Sequence, residues 1–222
     1  NFHPTKDIVT KVVSVGSSSL FRNGLSVVSA ILLNRIAGGI SDSVLAAVGV
    51  TNKIMMFPFC IILGFGNGFQ PVAGFNWGAK RFDRVEESYK FSARVSFIGS
   101  LLMAVLIALF CDKLIILFAG TDMEMRRIGA FCILAQCFAL PVHAWVAIVN
   151  MFCVGLGNAK GAMVLATSRQ GSCFIPIVHL MALLFGAYGV ASVQALADVI
   201  SLALAIPLAI SMTKKIKNAQ LQ

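Results

Sequence analysis

Three ionisable residues, Arg22, Lys53 and Asp198, lie deep inside long apolar stretches of the sequence. If those stretches cross a bilayer, each charge costs at least about 2.5–3.5 kcal/mol near the midplane and is kept for function or for pairing. Asp198 is the only carboxylate so placed, and two readings are open for it. It is a station in a proton or cation relay, or it is a structural carboxylate that pairs with Arg22 or Arg169 or caps a neighbouring helix. Lys53 sits too deep to reach an interface, which implies a water-filled cavity or a carboxylate partner. Arg94 and Arg169 fall within about two helical turns of their loops, where their stems can snorkel to the interface. His143, just after Pro141, has a side chain that titrates near neutral pH; it is a relay member or a hydrogen-bonding partner of an adjacent helix.

Other chemistry is excluded by spacing. GFGNGF at Gly64 and GLGNAKG at Gly155 both miss the GxGxxG pattern, and no GxSxG, Walker or HExxH motif occurs. The histidines His3, His143 and His179 are scattered. The cysteines Cys60, Cys111, Cys132, Cys137, Cys153 and Cys173 form no CxxC and no zinc-type spacing. They read as small apolar fillers, with no metal and no cofactor expected. Met55, Met56, Met103, Met151, Met163 and Met181, with the many phenylalanines, either face lipid or form an adaptable wall for apolar ligands.

The elements that hold these residues follow from composition. The chain is 58% hydrophobic and 12% charged, against roughly 45–50% and 25% for soluble domains, so it has too few charges to coat a water-soluble surface. A bilayer core needs about 20 apolar residues per helix, and six blocks of that length occur, at about 12–33, 44–69, 91–110, 128–153, 162–185 and 190–212. Segments such as Ser100 to Phe110 lack the polar stripe of a soluble amphipathic helix. The reading is all-α: a polytopic membrane protein whose six transmembrane helices form a single bundle over residues 1–222. Pro58 followed by Gly64, Gly66 and Gly68 predicts a kink or break in the second span. Asp112 to Arg127 reads as a loop with a short amphipathic element, and Phe185 to Gly189 as a tight turn.

An even number of spans puts both termini on one face. That face collects Lys6, Lys11, Lys80, Arg81, Arg84, Lys90, Arg94, Lys160, Arg169, Lys214, Lys215 and Lys217; the other has Arg35, Lys53, Lys113, Arg126 and Arg127. The positive-inside bias makes the first face cytoplasmic and accounts for the net charge of +9 without any nucleic-acid partner. The chain opens Asn-Phe-His-Pro, with neither an initiator Met nor a charged n-region, so the first span is not a signal peptide and the start reads as internal to a longer protein.

The string GNGFQPVAGFNWGAKRFDRVEES, through Gln70, Pro71, Gly74, Asn76, Gly78, Ala79, Lys80 and Arg84, resembles the end of the eighth helix in the multidrug and toxic compound extrusion (MATE) family. GLGNAKGAMVLATSRQGSCFIP and FGAYGVASVQALADVIS are similar, in the same order, to its eleventh and twelfth helices with their turns. The resemblance covers nearly the whole chain and implies helices seven to twelve, with an N-terminal six-helix half as the missing partner. It is closest to the bacterial branch with the staphylococcal and DNA-damage-inducible exporters. It implies a non-enzymatic secondary transporter of the bacterial inner membrane, exchanging H+ or Na+ for amphiphilic, often cationic, small molecules by alternating access. Arg22, Lys53, His143, Gln70, Arg169 and Asp198 are then the cavity candidates, and Pro71, Gly74, Asn76, Gly78 and Arg84 the structural motif.

Two departures stand out. Ser18 occupies a position where the family commonly has proline, and the first and fourth spans have no core carboxylate where the sodium-coupled branch has one, so proton coupling is the favoured reading. A lipid-linked oligosaccharide flippase of the same superfamily and a non-transporting membrane fragment are the alternatives.

Overall fold

The computed structural model describes residues 6–172 and 174–220, the side chains of 6–12, 14–15, 18–19, 21–22, 170 and 172 excepted. Its elements are α1 (Lys6–Ile40), α2 (Asp42–Gly78), α3 (Phe82–Leu109), a short α4 (Cys111–Ala119), α5 (Met123–Gly155), α6 (Ala159–Thr167), a π-turn (Ser168–Ser172) and α7 (Phe174–Gln220). No strand occurs among the described residues. Five of the helices are long and apolar enough to cross a membrane.

At 1.5 Å per residue the 47 residues of α7 would extend about 70 Å, more than twice a hydrocarbon core of about 30 Å. Gly186 resolves the excess. Its φ of 54° and ψ of −128° suit glycine alone, and they turn the chain so sharply that a Cβ on Gly189 would lie 1.9 Å from the Met181 carbonyl oxygen. α7 is therefore two arms, 174–185 and 187–220. The first continues α6 and the π-turn into one crossing; the second is a crossing of its own.

α5 is the central post, with two thirds of its apolar window buried against about a third or less in the other spans. α2, α3 and the second arm of α7 surround it. Ser41 and Asp122 cap α2 and α5 by accepting from the amides of Val44 and Met125. Ser43 donates to the Asp122 carboxylate at 2.6 Å, which ties the two capped ends together at one end of the bundle. At the other end, Asn158 caps α6 and its amide reaches the Met212 sulfur at 3.2 Å, while Gln220 donates to Asp83 at 2.8 Å. These contacts gather the α2–α3 turn, the α5–α6 turn and the α7 tail at one basic end, with Lys80, Arg81, Arg84, Lys160, Lys214, Lys215 and Lys217.

Of the kink or break expected in α2, the break does not occur. Pro58 and Pro71 both lie inside one continuous 37-residue helix. Of the glycines behind that expectation Gly66 alone meets a neighbour, a Cβ there lying 3.1 Å from the Met151 Cγ; farther along, a Cβ on Gly155 would lie 2.9 Å from the Gln70 carbonyl and one on Gly74 3.0 Å from the Gly155 carbonyl, so α2 and α5 cross almost backbone to backbone there. The methionines also differ from expectation. Met55 and Met151 are buried and Met103 and Met181 pack against the core, leaving Met56 and Met163 exposed.

Candidate functional site

The core divides by depth. One apolar cluster fills the end near the α2 and α5 caps, including Val44, Cys132, Val190 and Ala197. Others fill the basic end, including Phe152, Met212 and Ile216 in one and Val146, Leu165 and Ala205 in another. Between them in depth, beside a further apolar cluster that includes Met55, Ile62, Leu140 and Ala144, lie His143 of α5 and Asp198 of α7. Asp198 is 12 residues past Gly186, about 18 Å along its arm and so near the middle of a membrane-spanning helix.

Asp198 is 3% exposed and His143 6%. The Arg169 Nε donates to Asp198 Oδ1 in a short, charge-assisted bond. His143 Nδ1 lies 3.4 Å from the same oxygen. An ionised carboxylate only accepts, so a hydrogen bond between the two requires the hydrogen on Nδ1, the tautomer in which Nε2 is the basic nitrogen. Arg169 reaches this partner because it stands on the π-turn, whose wider winding re-aims a side chain within an otherwise helical segment, a feature frequent at functional sites.

Phe59 of α2 closes the cluster. Its ring centroid is 4.7 Å from that of His143 and 5.7 Å from the Arg169 guanidinium carbon, within cation–π range. Beside them a cavity of ≈ 60 Å³ is lined by Leu63, His143, Asn150, Leu165 and Arg169, among others, which is room for water next to polar partners. Ser201, fully buried one turn beyond Asp198, and Gln136, two turns before His143, each have an oxygen without a protein partner.

Of the six cavity candidates from sequence, the structure brings together Asp198, Arg169 and His143. Of the two partners proposed for Asp198, Arg169 pairs with it. The snorkelling expectation for Arg169 is corrected: its head group turns inward, because the buried carboxylate needs a cation more than the guanidinium needs the interface. Lys53 is exposed and, among the described residues, no carboxylate lies within ion-pair distance of it, so the expected partner is absent there. Gln70 is half-buried at the α2–α5 crossing, about 16 Å along α2 from Phe59. The Arg22 side chain lies outside the described residues. In the structural motif, Pro71, Gly78 and Arg84 are exposed, and Asn76 donates to the Val72 carbonyl at 2.8 Å while its own carbonyl accepts from Arg81. The motif shapes the α2–α3 turn. Sequence reasoning missed Phe59 and the π-turn; nothing marks Phe59 among 17 phenylalanines except that it follows Pro58.

A family model described as MatE matches residues 19–178, nearly three quarters of the chain. The chain belongs to the MatE family. It is 24% identical over 189 residues to the multidrug export protein MepA of Staphylococcus aureus strain MSSA476, covering 84% of this chain and 41% of that protein. It is 22% identical over 196 residues to MepA of Staphylococcus saprophyticus, again over 41% of that protein. The chain thus spans well under half the length of the curated relatives it matches. Its fold is similar to the bent form of the Vibrio cholerae MATE transporter VcmN, with a TM-score of 0.87 at 15% identity over 97% of this chain and 49% of that one. It is similar also to a MATE structure in complex with MaL6, with a TM-score of 0.88 at 17% identity over 100% and 50%. The fold is one half of a MATE-type transporter. His143 and Arg169 fall inside the MatE match, and Asp198 lies beyond its end.

Proposed function

We propose that the chain is the C-terminal six-span half of a secondary active multidrug exporter, and that the Asp198–Arg169–His143 cluster couples proton movement to transport. One observation carries the coupling role: a buried carboxylate, near the middle of its span, is shared on one oxygen by a permanent cation and by a residue that can take a proton. A proton arriving at His143 Nε2 gives the imidazole a full charge, which competes with Arg169 for Asp198 and frees the guanidinium to move. The adjacent cavity, lined by both His143 and Arg169, has room for water that would carry that proton. Loss of the proton restores the Arg169–Asp198 pair, so two arrangements alternate with protonation, as alternating access requires. Sodium is the less favoured ion because the first and fourth spans carry no carboxylate in their apolar cores.

The substrates in this reading are amphiphilic cationic drugs, and the partner is a second six-helix bundle. The protein lies in the bacterial inner membrane with both termini in the cytoplasm, in keeping with the lysines and arginines gathered at one end. A flippase reading is not favoured. It needs an uncompensated cationic cavity for a pyrophosphate, whereas Arg169 is neutralised by Asp198 and Lys53 stands exposed on α2.

The test is efflux of ethidium from cells expressing the gene that carries this chain, with and without a protonophore. Energy-dependent efflux that collapses with the protonophore supports proton-coupled export. Efflux that survives it and depends on sodium overturns the coupling ion, and no efflux of any cationic dye overturns the exporter reading.

A further inference from the structure

At the basic end, a groove of about 840 Å³ runs along the outer side of α7, lined by Trp77, Pro207, Ile210, Ser211, Lys214, Lys215, Asn218 and Ala219. Its wall changes polarity along its length. Pro207 and Ile210 form an apolar floor toward the bundle middle; Ser211 follows, and Lys214, Lys215 and Asn218 close the outer end. The whole run covers about 16 Å of helix. Trp77, in the last turn of α2, forms the side wall. It packs edge-on against Phe82 at 5.2 Å, and the Lys215 ammonium sits 5.4 Å from its centroid.

The lysines are uncompensated. Among the described residues neither Lys214 nor Lys215 has a carboxylate within ion-pair distance. The nearby acids are engaged elsewhere, Asp83 by Gln220 at 2.8 Å and Glu86 by Lys90 at 2.6 Å. Among the described residues no carboxylate lines the groove. An apolar trough leading to two ammonium groups with no carboxylate partner among the described residues, an amide and a hydroxyl beside a tryptophan has the polarity profile of a phospholipid: acyl chain, glycerol ester, phosphate. Basic pockets at the cytoplasmic ends of transmembrane helices hold anionic headgroups on this principle, and tryptophan belongs at that depth.

We infer that this groove is a binding site for one anionic phospholipid of the cytoplasmic leaflet, its phosphate held by Lys214, Lys215 and Asn218 and its chain laid on Pro207 and Ile210. The choice of leaflet rests on the orientation given above.

The test uses the protein expressed from its own gene and extracted in detergent. Native mass spectrometry titrates it with phosphatidylglycerol, phosphatidylcholine or inorganic phosphate, for the wild type and for the Lys214→Gln/Lys215→Gln variant. The expected result is preferential retention of one phosphatidylglycerol, weakened roughly 30-fold in the double variant, with no saturable binding of inorganic phosphate. Both changes lie on an exposed face, so the variant folds. Equal retention by wild type and variant, no preference over phosphatidylcholine, or competition by inorganic phosphate alone would overturn the site. A fluorescent protein fused to the C-terminus reads the orientation separately: fluorescence with no lipid preference sinks the site alone, and a tail outside the cell sinks the orientation and the leaflet with it.

Discussion

The Arg169 guanidinium and the Asp198 carboxylate meet inside the bundle, the first carried on a π-turn and the second on the final helix arm, 29 residues apart in sequence. A buried charge that loses its partner is strongly destabilised, whereas removing both charges together is often nearly neutral. Asp198→Asn alone therefore costs about 3–5 kcal/mol of stability in detergent, and Arg169→Gln alone a similar amount. The Arg169→Gln/Asp198→Asn double variant recovers most of it. Thermal or denaturant unfolding of the three variants checks the pattern; additive losses in the double variant would show that the two groups do not act as a pair.

The Phe59 ring faces both His143 and Arg169, and a cation–π contact of this kind is worth about 0.5–2 kcal/mol. Phe59→Leu keeps the bulk and loses that contribution, while Phe59→Trp keeps it. The stability ranking expected is wild type and Phe59→Trp above Phe59→Leu, with the gap closing when Arg169 is also replaced by Gln.

Gly155 has no room for a methyl group, because the Gln70 carbonyl lies 2.9 Å from where its Cβ would stand, whereas a Cβ on Gly68 would meet nothing within 4 Å. Gly155→Ala forces α2 and α5 apart and costs about 1–3 kcal/mol. Gly68→Ala, in the same glycine-rich stretch of α2, is near neutral in packing and gains helix propensity of under about 1 kcal/mol. Comparable unfolding midpoints for the two variants would argue against the close crossing.

Asp122 caps α5 outside the spans, and the hydrogen bonds from the Ser43 hydroxyl and the Met125 amide hold its carboxyl below the ordinary carboxylate range. A carboxylate with a lowered folded pKa contributes stability that is fully present above its unfolded value and is lost as pH falls through the folded one. As pH falls through the ordinary carboxylate range and then through the lowered folded value, the wild type thus loses a stabilising contribution that Asp122→Asn, which keeps an accepting oxygen for the cap, never had. The difference in unfolding midpoint between wild type and Asp122→Asn is expected to shrink on acidification; a constant difference would contradict it.

Much of this was legible in the sequence, and the reasons differ by element. Apolar blocks of bilayer length mark the helices because the solvent demands them, and the run from Gln70 to Arg84 identifies the family because a backbone-to-backbone crossing and a tight turn tolerate few residues. Asp198 could be singled out by depth alone. What the sequence could not supply was azimuth. Arg169 points inward from a π-turn, and helical periodicity assumes an unbroken 3.6-residue repeat. Lys53 illustrates the same gap from the other side: its depth was readable, its exposed face on α2 was not. The break expected in α2 does not occur because a helix inside a packed bundle tolerates proline and glycine in its interior, and composition alone does not show which such helices stay continuous.

The most direct test of the coupling role is ethidium efflux by the Arg169→Gln/Asp198→Asn variant, chosen because it removes both charges without leaving either one buried alone. With membrane levels and unfolding midpoint matched to wild type, the account predicts that proton-driven efflux is abolished. Wild-type efflux from that folded variant would reduce the cluster to a structural pair and contradict the account.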